Sequence, residues 1–246
     1  MSIPKIIHYC WFGGGPISAE SQKCMESWKK YCPDYKIIEW NDQNFDISTN
    51  RYAQQAYEAN KYAFVSDYVR LAVLYEYGGI YLDTDVELVR PLDELLELPG
   101  FMGFQTNNEV ATGLGFGARK GNSVVQALLR DYDALDFLKA DGSADLTPCP
   151  ERNTRVLQAL GVRKDGTRQS IAEMEIFPAE YFCPMDLYSR ELRVTPKTYS
   201  IHRYAESWKP KPSAVSRILQ RLLKKHYYTW YCPLRGRIEG RLRKRT

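Results

Sequence analysis

The sequence predicts a single α/β domain with a mostly parallel sheet, and three observations carry that prediction. Residues 6–12 are apolar and β-rich, 18–31 have a helical pattern and 35–40 return to strand, an order that builds a right-handed parallel crossover. Residues 61–77 repeat apolar side chains at helical spacing through Phe64, Tyr68, Leu71, Leu74 and Tyr75. Gly78-Gly79 then stops the helix before a short apolar strand at 80–82. At 246 residues, 44% hydrophobic and 13% aromatic, the chain is long enough for one full core.

The remaining elements follow in order. Gly13-Gly14-Gly15-Pro16 turns the chain after the first strand, without the spacing of a dinucleotide fingerprint or a phosphate-loop lysine. His8, three residues before Trp11, faces the opposite side of that strand and reads as a structural histidine. A helix over 50–60 leads into the central one, and Pro91 opens a short acidic helix after a strand end at 86. Strands at 101–105 and 114–118 flank a polar loop, and a helix covers 124–138. After a loop at 141–150 rich in Pro, Gly, Asp and Ser, Asn153 is the expected cap of another helix. The last strand is 198–202.

Chemistry concentrates where the strand at 80–82 ends. If the chain stays extended, Asp83 and Asp85 point to the same side and Thr84 to the other, making an oxygen-rich site for a hard divalent cation. Mg²⁺ or Mn²⁺ bound there suits a diphosphate, because the ion takes one or two carboxylates and fills its other positions with phosphate oxygens. Asp67 and Arg70, three apart on the preceding helix, share a face and can pair, with Asp67 at the half-buried edge of the apolar stripe.

The run SDYVRLAVLYEYGGIYLDTD (66–85), with IPKIIHYCWFGG (3–14) and SIHRYAESW (200–208), resembles glycosyltransferase family 32 over about residues 3–210. The resemblance implies a GT-A type catalytic domain over 1–210, a nucleoside diphosphate sugar as donor and retaining transfer of a hexose to a hydroxyl of a surface or capsular glycan, free or lipid-linked. It implies Asp83 and Asp85 as metal ligands joined by His202, and Ser66, Asp67 and Arg70 as donor contacts with Tyr81 beside the acids. Trp11 is then the ring that stacks on the base, which favours uridine, and Ser207 and Trp208 close over the diphosphate as a lid. No side-chain nucleophile is implied, since a front-face mechanism lets the diphosphate help deprotonate the acceptor. Where the family carries Gly-Pro-x-x-x-Thr this chain has CPERNT (149–154), so no role is assigned there.

Residues 211–246 form a basic tail: eleven Lys or Arg against the single acid Glu239, a net +10 beside −6 for residues 1–210, within the chain's total of +4. Val215, Ile218, Leu219, Leu222 and Leu223 line one face of its predicted helix, with Arg217, Arg221, Lys224 and Lys225 around it. Such a helix suits an anionic membrane surface or packing on the body, whereas nucleic acid would call for a recognised binding module. The six cysteines have no zinc-site spacing and are expected as reduced thiols. The opening MSIPKIIHYCWFGG lacks the pattern of a signal peptide, so the expected location is cytoplasmic and peripheral to the inner face of the membrane. Nothing in the sequence points to a particular oligomer. Two other readings fit parts of it: a non-catalytic glycan-binding or membrane-scaffold protein, and a toxin-like transferase acting on protein. A phosphohydrolase that ends a strand with Asp-x-Asp would need Thr or Val where Glu87 stands.

Overall fold

The computed structural model describes residues 2–186 and 189–205. The first crossover forms as the sequence predicts: β1 (Ile6–Cys10) and β2 (Lys36–Trp40) pair in parallel around α1 (Ala19–Tyr31), whose first turn is capped by Ser18. Next come α2 (Arg51–Glu58), capped by Asn50, then α3 (Tyr62–Tyr77) and β3 (Gly79–Tyr81), which adds to the free edge of β1. The chain continues through β4 (Val86–Leu88), β5 (Gly100–Phe104), β6 (Val110–Ala111), β7 (Phe116–Ala118) and α4 (Ser123–Asp133). Helix α5 (Cys149–Ala159), strands β8 (Gln169–Ile171) and β9 (Met174–Phe177), the short α6 (Ala179–Phe182) and β10 (Ser200–His202) complete it.

The main sheet has the order β2-β1-β3-β7-β5-β9-β8, with β6 on β5. β1, β2, β3, β5 and β9 run one way, while β7, β8 and β6 run against them, so the sheet is mixed with its main direction parallel. Side chains alternate between two cores, as the two-residue period of a strand requires. Tyr81, Met102, Phe104 and Phe116 pack towards α2, α3, α4 and α5, whereas Ile7, Ile80, Phe101 and Phe177 face α1, α6 and a separate ribbon of β4 with β10. Trp28 of α1 is fully buried and donates its indole N–H to the Val86 carbonyl at 2.7 Å, which fixes that ribbon against the sheet.

Helix α3 is covered nearly all round, and Val65, Val69, Leu71 and Leu74 are completely buried, each contributing about 1.5–3 kcal/mol of apolar burial. The two glycines after it are required twice over. Gly78 and Gly79 have φ of 68° and 110°, and a Cβ at either would come within 2.8 Å of Lys120 N or of Ile6 O and His8 Nε2.

His8 is buried with both ring nitrogens used: Trp40 Nε1 donates to Nδ1 at 3.0 Å, and Nε2 lies 2.9 Å from the Gly78 carbonyl, to which it donates. Burial pushes its pKa down to about 4, because a second ring proton would meet the indole N–H. Above about pH 6.5 the imidazole is neutral folded or unfolded and costs nothing. As pH falls from there to 4 the unfolded chain binds a proton that the folded one refuses, so about 3 kcal/mol of stability is lost in that window. His8→Gln, which can still accept and donate, is expected to show a shallower acid slope in denaturant melts compared between about pH 7 and pH 4. Equal slopes for the two proteins would remove His8 as the cause.

The shorter elements differ from the sequence reading for local reasons. The helix expected over 124–138 ends at Asp133, and the acidic helix after Pro91 is a single 3-10 turn at Asp93–Leu95. Asn153 is not a cap, because α5 begins at Cys149 with Pro150 in its first turn, where a missing N–H costs nothing, and Asn153 falls inside the helix. Ser207, Trp208 and the tail 211–246 lie outside the described residues.

Candidate active site

The D-x-D pair converges by a different route from the one its spacing suggests. Extended backbone persists to Asp83, whose N–H bonds the Gly113 carbonyl at 3.0 Å, so Tyr81 and Asp83 share the α3 face. The chain then turns rather than continuing, with Val86 N–H on the Asp83 carbonyl at 3.0 Å, and alternation no longer relates the two acids. Asp85 is met instead by β10, which pairs antiparallel with β4 and sets His202 opposite Val86. One ligand atom each from Asp83, Asp85 and His202 lie within 4.8 Å of one another.

Asp85 is held from three directions. Its Oδ1 is 3.2 Å from His202 Nε2, its Oδ2 accepts the Ala205 N–H at 2.7 Å, and its carbonyl accepts the Arg203 N–H at 2.9 Å. Burial opposes ionisation of both side chains, but their mutual attraction outweighs it, holding Asp85 down to about 2 and raising His202 above its ordinary value. His202 Nδ1 is buried and makes no hydrogen bond among the described residues.

Arg70 bridges the other acids. One guanidinium nitrogen, Nη2, lies 3.1 Å from Asp67 Oδ1 and 3.1 Å from Asp83 Oδ1, Nε donates to the Ser66 carbonyl at 3.1 Å, and the group sits 4.8 Å over the Tyr81 ring. The Tyr81 hydroxyl donates to the same Asp83 oxygen at 3.1 Å. Asp67 is more buried than the edge of a helical stripe would make it, because α2 and α4 pack on α3 and Cys149 of α5 lies beside the carboxyl. Desolvation raises its carboxyl to about 6, with Arg70 pulling the other way. Ser66 turns its hydroxyl back to the Tyr62 carbonyl at 3.1 Å, and Trp11 is half-buried with its indole N–H on the Gly15 carbonyl at 2.6 Å, closing the glycine turn.

Four contributors were given no place in the site from the sequence. Thr112 Oγ1 lies 3.4 Å from Arg70 Nη1, and Asn153 Nδ2 donates to Thr112 Oγ1 at 3.1 Å and to Cys149 Sγ at 3.2 Å, so a buried polar trio backs the guanidinium. Gly113 is the fourth, since a Cβ there would run into Asp83 Oδ2. The CPERNT segment was the available signal, but which of its residues face Arg70 depends on where α5 starts.

Residues 18–101 match the family described as the glycosyltransferase sugar-binding region containing a DXD motif. Inositol phosphoceramide mannosyltransferase 3 of Schizosaccharomyces pombe is 30% identical over 147 residues, 55% of this chain and 39% of the relative. The uncharacterized glycosyltransferase L373 of Acanthamoeba polyphaga mimivirus is 25% identical over 221 residues, 85% of this chain and 84% of that one. Among solved structures, the PaToxG glycosyltransferase superposes with a TM-score of 0.48 at 22% identity, covering 64% of this chain and 70% of that one. The family region and the sequence relatives mark this α/β domain as of glycosyltransferase type. Within that class, the region matched over residues 18–101 and its motif resemble glycosyltransferase family 32. The chain spans about two-fifths of the length of the first curated relative it matches.

Proposed function

We propose that this protein moves a hexose from a nucleoside diphosphate sugar to a hydroxyl of a glycan or lipid-linked glycan, with Asp83, Asp85 and His202 holding Mn²⁺ or Mg²⁺. The observation that carries this reading is the meeting of those three donors beside the Arg70–Asp67 pair. Two carboxylates and an imidazole suit such a cation, and the half-buried His202 ring lies against one of those carboxylates. When bound, the cation supplies positive charge that stabilises the departing diphosphate. Arg70 keeps Asp83 and Asp67 apart from one another in charge and fixed in direction, and Asp67 would accept sugar hydroxyls. Trp11 and Ser66 serve the nucleoside end, and Ser207 and Trp208 close over the diphosphate, excluding water that would hydrolyse the donor.

Each clustered carboxylate already has a nitrogen partner, Asp67 and Asp83 the Arg70 guanidinium and Asp85 the His202 imidazole, which leaves none as an uncommitted nucleophile. That favours retaining transfer in which the acceptor proton passes to the leaving diphosphate. The Trp11 motif favours a uridine donor. A guanosine diphosphate mannose donor is the second reading, supported by the inositol phosphoceramide mannosyltransferases among the relatives, whose names also support a lipid-linked acceptor. The basic residues 211–246 would bring the protein to anionic lipid at the cytoplasmic face.

The test is release of nucleoside diphosphate from a panel of uridine and guanosine diphosphate sugars, with Mn²⁺ or with chelator. Cleavage of one donor only when metal is present is the expected result and identifies that donor. A full panel with neither turnover nor metal-dependent binding would favour the non-catalytic scaffold reading.

A further inference from the structure

Tyr204 has a conformation that needs an explanation. Its φ is 51°, in the left-handed region, which costs a side-chain-bearing residue on the order of 1 kcal/mol. It lies two residues beyond His202, where the chain leaves β10, and it is buried. Two contacts hold it there. Its hydroxyl is 2.8 Å from Cys183 Sγ, just past α6, and the Arg190 guanidinium sits 4.8 Å over its ring.

The kink has two consequences at the acid–histidine cluster. The Tyr204 ring meets the His202 imidazole edge-on, with centroids 4.3 Å apart at 73°. The following residue is swung back so that the Ala205 N–H reaches Asp85 Oδ2 at 2.7 Å. A histidine that ligates a metal usually has its plane set by a hydrogen bond from its other ring nitrogen. Here His202 Nδ1 makes none among the described residues, so an aromatic neighbour is what remains to set the plane.

We infer that Tyr204, latched by the Cys183 thiol, is a positioning residue that orients His202 and presents Asp85, and so assembles half of the cation site. The inference rests on the metal reading proposed above. It predicts that metal affinity depends on two side chains that do not touch the metal.

The experiment is titration of the purified protein with Mn²⁺ alone, following free Mn²⁺ by electron paramagnetic resonance. Tyr204→Leu, which removes both ring and hydroxyl, is expected to weaken binding about tenfold. In a His202→Ala background the same substitution is expected to cost markedly less, because the part of its effect that passes through the imidazole is already gone and only the part that passes through Asp85 is left. Tyr204→Phe removes only the thiol–hydroxyl contact, and Cys183→Ala removes it together with the thiol's contact to the Met185 carbonyl. Each is expected to weaken binding about threefold, with no further loss when combined. These two carry the test if Tyr204→Leu does not fold. Native affinity in the single variants, or an equal loss with and without His202, overturns the inference while leaving the metal site standing. No Mn²⁺ binding by the native protein would overturn the metal site and the inference together.

Discussion

Asp85→Asn is expected to lower kcat/KM for the cleaved donor on the order of 10³-fold, about 4 kcal/mol of transition-state stabilisation, while leaving the fold intact. The amide keeps the volume of the carboxylate and can still accept the Ala205 N–H, so the turn after β3 and its contact with the β10 chain persist. It loses the negative charge, which is what a hard cation binds and what raises the pKa of His202, 3.2 Å away. The measurement is donor cleavage at saturating Mn²⁺ beside a thermal melt. A variant that melts like the native protein and retains activity within about threefold would show that Asp85 is not a ligand in the reaction.

Arg70→Met is expected to cost both stability and activity, and the two losses can be separated. The guanidinium is buried between Asp67 and Asp83, and removing one member of such a group leaves uncompensated charge, which costs about 3–5 kcal/mol. Asp67→Asn in the same protein relieves part of that cost, because the buried acid then needs no counter-charge. It does not return activity, since Asp83 has lost the group that, with the Tyr81 hydroxyl, aims its Oδ1. Arg70→Lys keeps the charge without the planar fork that spans both acids, and falls between. Urea melts report the stability and donor cleavage the chemistry. If Arg70→Met destabilises by less than about 1 kcal/mol, the pair is a solvent-screened contact and not the brace described here.

Much of the site was legible because its parts are close in sequence. The helix, the double glycine, the short strand and both acids fall within twenty residues, and each is fixed by local chemistry: apolar spacing for α3, positive φ at Gly78 and Gly79, alternation down to Asp83. The Asp67–Arg70 pair follows from three-residue spacing on that helix. The turn after Asp83 was not legible, since an Asp-Thr-Asp-Val run is compatible with either strand or turn. Its choice is made by β10, which arrives more than a hundred residues later and places His202 against Asp85. For the same reason β6, β8 and β9, none longer than four residues, escaped notice: strands that short carry too little pattern and exist through their neighbours.

By itself the sequence determined the α/β class, the first crossover, the helix that carries Asp67 and Arg70, and the strand end that carries Asp83. These depend on periodicity, on glycine conformations and on contacts a few residues apart. Only the tertiary structure decided how deeply Asp67 is buried, which residues brace Arg70, and how Asp85 meets His202. Burial and long-range pairing are properties of what packs against a segment, and α5, β10 and the Tyr204 kink come from parts of the chain with no local relation to the acids they complete.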